Sequence, residues 1–205
     1  MKCGLRHERR LYKTGVQCIA GIDEAGVGPL AGPVVAAAVI LPPKFRHKTL
    51  TDSKKLTHEQ REAIYGELTG LPEIAWAVRA VETEVIDRLN ILRAAHEAMR
   101  LAVAALRIVP AHVLIDGRPV RPFPIPQTAI IDGDAQSFSI AAASVIAKVT
   151  RDRIMVEMDA RYPGYEFGRH KGYSTPLHLS RLRARGPCPI HRQSFTPVAL
   201  AQIAW

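Results

Sequence analysis

Four acidic residues stand where apolar runs end. In GIDEAGVGPLAG (21–32), Asp23 and Glu24 close a hydrophobic stretch and glycines follow at once. Asp116 closes AHVLIDG (111–117), and Asp134 follows the apolar QTAII in IIDGDAQS. A carboxylate at the end of a buried strand is costly to dehydrate unless a partner meets it. Four of them at one sheet edge would repel strongly unless hard cations lay between them. An oxygen-only set, without His or Cys, suits Mg²⁺ or Mn²⁺ rather than zinc. Two such ions about 3.5–4 Å apart can activate a water and stabilise the leaving oxygen of a phosphodiester. A plainer reading stays open at this point, in which Asp116-Gly117 and Asp132-Gly133 are turn dipeptides. Neighbours on a strand also point to opposite faces. Asp23 and Glu24 can therefore share one site only if the strand ends or twists at Glu24, with Gly26 and Gly28 supplying the freedom.

The elements that hold these acids follow from the apolar pattern. CIAGIDE (18–24) and LAGPVVAAAVIL (30–41) read as buried strands, and the short link between them makes the pair antiparallel. THEQREAIYGEL (57–68) reads as a helix opened by a Thr57–Gln60 capping box, and EIAWAVRAVE (73–82) as a third strand. Asn90 caps an amphipathic helix with Leu92, Ala95, Met99, Ala102, Val103 and Leu106 on its inner face. AHVLIDG and QTAII (127–131) are two more strands, separated by the proline-bound loop GRPVRPFPIP (117–126). A long helix runs from about Ser139 to Ala160, and the rest holds one short basic helix between turns. This succession predicts an α/β fold, a mixed sheet flanked by helices.

Of the 205 residues 47% are hydrophobic and 23% charged, the balance of an ordinary soluble globular chain. The longest apolar run, PVVAAAVIL (33–41), is about half a membrane span, so no membrane association is expected. The basic N-terminus precedes no hydrophobic core, and Cys3, Cys18 and Cys188 form no CxxC; a cytoplasmic, monomeric protein is expected. The net charge of +9 points to an anionic partner, with nucleic acid ahead of membrane. Histidines 7, 47, 58, 96, 112, 178 and 191 show no ligand spacing, and Cys188 with His191 lacks the second pair of a zinc site.

Taken in order, GIDEAGVGPLAGPVV, DSKKL (52–56), IDRLNIL (86–92), VLIDG (113–117), SIAAASVIAKVTRD (139–152), HKGY (170–173) and HRQSFTPV (191–198) resemble ribonuclease HII, the type 2 ribonuclease H family. The resemblance runs from about residue 18 to residue 198. It implies a ribonuclease H-like fold, with residues 1–160 as the catalytic domain and 161–205 as a helical C-terminal extension packed on it. It implies a metal-dependent endoribonuclease that hydrolyses the RNA strand of RNA·DNA hybrids. It also implies cutting 5′ of single ribonucleotides embedded in duplex DNA, giving 3′-hydroxyl and 5′-phosphate ends. The family's metal ligands and catalytic residues fall on Asp23, Glu24, Asp116 and Asp134, which would hold two Mg²⁺ or Mn²⁺ ions with substrate bound. Asp152, in TRD, reads as a helix-surface residue instead.

In the family, the backbone of a Gly-Arg-Gly segment approaches the 2′-hydroxyl, the group that separates ribose from deoxyribose. Here that segment is Gly26-Val27-Gly28, and the arginine is replaced. Main-chain recognition can survive the change, but a guanidinium with its fork of donors is lost. Weaker binding or looser junction selectivity is the expected result. Tyr173 matches the family's tyrosine at the sugar of the junction. Ser53 and Lys54 match its phosphate-holding residues, and Asn90 and Lys171 are further candidates for substrate contact. The basic stretch with His170, Lys171, Arg181, Arg183 and Arg185 is expected to follow phosphates. Two other readings compete: an enzyme of long hybrids with weakened junction selectivity, and a catalytically silent nucleic-acid-binding module. A dinucleotide-binding loop is excluded, because Gly26, Gly28 and Gly32 are one residue too widely spaced and lead into a strand.

Overall fold

The computed structural model describes residues 3–203. The last two residues of the tail VALAQIAW therefore lie outside the described residues. Five strands, β1 (Ile19–Ala25), β2 (Val34–Ile40), β3 (Ala75–Val81), β4 (His112–Asp116) and β5 (Gln127–Ile130), form one mixed sheet in the order β3-β2-β1-β4-β5. β1, β2 and β3 pair antiparallel, whereas β4 and β5 run parallel to β1. The helices are α1 (Arg6–Lys13), α2 (His58–Gly70), α3 (Thr83–Leu89), α4 (Ile91–Ala104), α5 (Phe138–Arg161), α6 (Phe167–His170), α7 (Pro176–Arg185) and α8 (Thr196–Ile203). The expected ribonuclease H-like mixed sheet flanked by helices is what the chain forms.

Alternation along the strands assigns each helix its face. Ala20, Ile22, Ala36 and Ala38 meet Ala94, Ala98, Met99 and Ala102 of α4. Val35, Ala37 and Val39 meet Ala142, Val145 and Ile146 of α5 on the other face. Small side chains on both partners bring helix and sheet close. The extreme case is Gly21, where a Cβ would lie 2.1 Å from the Ser139 backbone carbon. That contact sets α5 against β1, so that Ser144 comes opposite Asp23 and Arg151 opposite Gly26.

The capping box forms, with the Thr57 hydroxyl accepting from the Gln60 amide and the Gln60 side chain accepting from the Thr57 amide. Asn90 caps α4 by accepting from the Arg93 amide. Leu92 does not face inward as its spacing predicts. It is exposed on the first turn of α4, where it lines an open cleft beside Glu24. The C-terminal stretch holds three helices rather than one. α1 and α3 are also not legible in the sequence: α3 is short with no side-chain cap, and α1 is held by the buried Glu8 beside only Leu11 and Tyr12, too few apolar residues to show a period.

Candidate active site

The carboxylates gather at the end of the sheet where β1 and β4 finish. Carboxylate oxygens of Asp23, Asp116 and Asp134 lie within 4.8 Å of one another. Asp134 reaches the group from the short 3-10 turn Gly133–Ala135, which is pinned by the Asp116 Oδ1 atom accepting from the Gly133 amide at 2.7 Å. Gly133 is tight as well as turned, since a Cβ there would press on Ile140 at 2.7 Å.

The strand neither ends nor breaks at Glu24. β1 keeps its register through Asp23↔Ala37, Glu24↔Ala36 and Ala25↔Val35. Asp23 thus lies on the α5 face and Glu24 on the α4 face, as the pleat demands. Glu24 shares a cleft with Asp116, Gly117, Val27, Ile91 and Leu92. The two faces meet at Asp116 because it ends its strand: it belongs to the three-acid group and also walls the Glu24 cleft.

Crowding is written into the proton affinities. Burial, then the charges of Glu24 and Asp116, push Asp23 well above the usual carboxylate range, against the pull of the Ser144 hydroxyl and the Glu24 amide. Burial and Asp116 raise Glu24 to about 7. Burial and Asp116 raise Asp134 to about 6, and burial raises Asp116. Lys54 is the cation that offsets Glu24, Asp116 and Asp134. Burial opposes its charge, but Asp134, Asp52, Asp23 and Asp116 outweigh that and raise its pKa. One ammonium against four acids leaves a deficit that only further positive charge removes. Three converging oxygen donors, two of them on buried residues, fit a hard divalent cation.

The glycine segment behind the acids is built on two buried arginines. Gly26 has φ +96°, and a Cβ there would lie 2.1 Å from Arg151 Nε. Arg192, fully buried, donates to the carbonyls of Gly26 (2.6 Å), Val27 (3.0 Å), Gly32 (2.9 and 3.0 Å) and Pro33 (3.3 Å). Arg151 donates to Pro33, Ala31 and Lys171 at 3.0 Å each. Burial lowers both guanidinium pKa values, Arg192 to about 9 with Arg151 adding repulsion. The carbonyls repay part of that dehydration with charge-assisted hydrogen bonds.

Other sequence candidates are placed less uniformly. Tyr173 is 41% exposed, with Lys148 and Arg151 within 5.5 and 5.7 Å of its ring centroid. Lys54 and Asn90 are exposed. Ser53 is buried, its hydroxyl 2.8 Å from that of Ser144, so it supports Asp23 through Ser144 instead of facing solvent. Asp152 is not a surface residue: it is buried and accepts from Lys148 at 2.8 Å. The expected basic track thins out as well. His170 is buried, Arg181 is held by Glu166, and the Lys171 ammonium donates to the Gly168 carbonyl.

His178 and His191, which show no ligand spacing in the sequence, brace this region from within together with His170. His170 and His178 stack at 4.2 Å, and His178 Nε2 lies 3.0 Å from His191 Nε2. Burial holds His178 and His191 near 4, hence neutral. Isolated histidines in a basic segment give no sequence signal of such packing.

The ribonuclease HII family model matches residues 20–198. Ribonuclease HII of Myxococcus xanthus is 53% identical over 194 residues, covering 95% of this chain and 66% of that protein. Ribonuclease HII of Geobacillus kaustophilus is 55% identical, covering 95% and 74%. The chain thus spans roughly two thirds to three quarters of these relatives' length. The crystal structure of ribonuclease H2 from Pyrococcus horikoshii superposes with a TM-score of 0.76 at 30% identity, covering 91% of this chain and 98% of that one. The fold, the order of motifs and these likenesses agree, and the chain belongs to the ribonuclease HII family.

Proposed function

We propose that this chain is a divalent-metal-dependent endoribonuclease. It hydrolyses the RNA strand of RNA·DNA hybrids and cuts 5′ of a single ribonucleotide in duplex DNA, leaving 3′-hydroxyl and 5′-phosphate ends. One observation carries the reading: the backbone of residues 26–28 is held from behind and open in front. Arg192 occupies the Gly26 and Val27 carbonyls, while the Val27 and Gly28 amides make no backbone hydrogen bond among the described residues. Nothing lies within 4 Å of where a Gly28 Cβ would stand, so the fold itself does not demand glycine there. Bare main chain beside carboxylates suits a 2′-hydroxyl, which both donates and accepts.

Asp23, Asp116 and Asp134 would hold one cation, and Glu24 with Asp116 offers oxygens to a second. Mg²⁺ or Mn²⁺ bound there supplies polarisation of the scissile phosphodiester and activation of water. Ser144, backed by Ser53, orients Asp23. Lys54 offsets the acids and meets an incoming phosphate. The exposed Tyr173 ring offers an apolar face to the sugar at the junction, with Lys148 and Arg151 behind it. The exposed Asn90 adds a contact to the strand.

A second reading, a hybrid-cutting enzyme with weakened junction selectivity, draws on Val27. That side chain is 39% exposed and shares its cleft with Ile91 and Leu92, an apolar wall where the family's arginine would donate. Cleavage-site mapping in Mg²⁺ separates the readings, using a DNA duplex with one ribonucleotide beside an all-RNA·DNA hybrid. A single cut 5′ of the ribonucleotide supports the first. Cuts confined to the hybrid support the second, and Val27→Arg should then restore the junction cut. No cutting in Mg²⁺ or Mn²⁺ would leave a binding module and refute both.

A further inference from the structure

Arg6, Arg9, Arg10 and Lys13 recur at i, i+3, i+4 and i+7, so they form one stripe along α1. The opposite face is spent on attachment. Leu11 and Tyr12 pack against Ile19, Leu114, Ile130 and Ile140. Glu8, the helix's one acid, is buried and accepts from the Ser137 and Ser139 hydroxyls at 2.6 Å and the Ser139 amide at 3.1 Å. The stripe therefore keeps no acid of its own. Among the described residues, Arg9, Arg10 and Lys13 form no ion pair. Like charges three and four apart destabilise a helix, and a face that served only solubility would intersperse acids. These cations instead line, with Gly4 and Leu5, a shallow cavity of about 390 Å³ that has no acidic wall.

The stripe is fixed relative to the catalytic acids. Gly4 donates to the Gln136 carbonyl at 3.2 Å and accepts from the Phe138 amide at 2.9 Å. Cys3 Sγ lies 3.7 Å from the Asp134 carbonyl. The chain entering α1 is thus bonded to the turn that carries Asp134. From Arg6 to Lys13 the helix advances about 10 Å, and phosphates on one duplex strand advance about 3.4 Å each along the axis. The stripe matches about three successive phosphates.

We propose that the outer face of α1 is a phosphate track that grips the substrate duplex away from the scissile bond. The proposal rests on the reading of the substrate as a nucleic-acid duplex. Its test is the salt dependence of binding to a labelled duplex of about 30 base pairs with one ribonucleotide, without divalent ions, for the wild type and the triple variant Arg9→Gln, Arg10→Gln, Lys13→Gln. Losing three phosphate contacts should flatten the log–log slope by about 2.7, so that between about 50 and 200 mM salt the wild type loses roughly 40-fold more affinity than the variant. The melting temperature should not fall, and the double variant Arg9→Lys, Arg10→Lys should keep the slope. A duplex trimmed to the base pairs around the ribonucleotide should bind wild type and variant alike. If the wild type cuts the duplex and the triple variant keeps its slope, the proposal is wrong. A slope lost together with melting temperature, and not kept by lysine, would make the stripe structural and overturn it as well. If the wild type neither binds nor cuts any duplex, the functional reading fails first and the track falls with it.

Discussion

Replacing Arg192 by methionine keeps an unbranched side chain but removes every donor to the loop. The Pro33 carbonyl retains Arg151, and the Val27 carbonyl lies where water can reach it. The Gly26 and Gly32 carbonyls are buried and would be left with no donor. A buried polar group without a partner costs about 1–3 kcal/mol, so the gross loss is about 2–6 kcal/mol. Some is returned, because a guanidinium whose pKa burial depresses to about 9 no longer has to be dehydrated. A net loss of about 3 kcal/mol is expected, read from urea unfolding of the metal-free protein. The carboxylates sit on other elements, so a Mg²⁺-induced rise in melting temperature should persist. On the proposed function, KM for the single-ribonucleotide duplex should rise more than tenfold, since the backbone of residues 26–28 has lost its backing. Stability within about 0.5 kcal/mol of wild type, or an unchanged KM, would refute the argument, because the carbonyls would then need no guanidinium.

Further outcomes follow from the same geometry. Gly28→Ala should fold with wild-type stability yet lose activity on ribonucleotide duplexes, whereas Gly26→Ala should be destabilised by more than about 2 kcal/mol through its positive φ and the Arg151 contact; unfolding curves beside cleavage rates check the pair. Asp134→Asn should stabilise the metal-free protein by about 1–2 kcal/mol at pH 8, a figure reduced for solvent screening. Asp134 has a raised pKa, so its native form is at ease below about 4 and loses stability as pH rises through about 6; the gap to the variant should vanish by pH 4, and Mg²⁺ should stabilise the wild type more than the variant. His178 and His191 have the opposite sign: held near 4, they favour the fold above pH 6.5 and cost stability as pH falls from 6.5 through 4. The stability gap between wild type and His178→Asn should therefore be widest above pH 6.5 and close towards pH 4, and a gap independent of pH would contradict the buried-neutral assignment.

What could be read from the sequence was whatever interrupts a pattern. Asp23, Asp116 and Asp134 stand out because each breaks an apolar run, and Thr57 and Asn90 because capping chemistry is local. To bring Asp23 and Glu24 to one site, the sequence reading needs β1 to end or twist at Glu24; β1 instead keeps its register there, and Asp116 is shared between the two faces. The clamping role of Arg151 and Arg192 gives no local pattern, because all but one of their carbonyl partners lie 118 to 166 residues away and an arginine in a basic chain looks like surface charge. Asp152 and His170 were hidden likewise, since burial by distant elements leaves no periodicity to read.

The Arg192 clamp also bears on the order in which the protein becomes competent. The guanidinium that finishes residues 26–33 is translated some 160 residues after the carbonyls it binds. A growing chain can pair β1 with β2 and β4 and gather its acids while the glycine segment still has water in place of Arg192. Closing so distant a contact is among the later events available to a fold. On the proposed function, reading of the sugar then waits until synthesis has passed residue 192, and a chain stalled before it would carry all four acids but no finished surface to aim them.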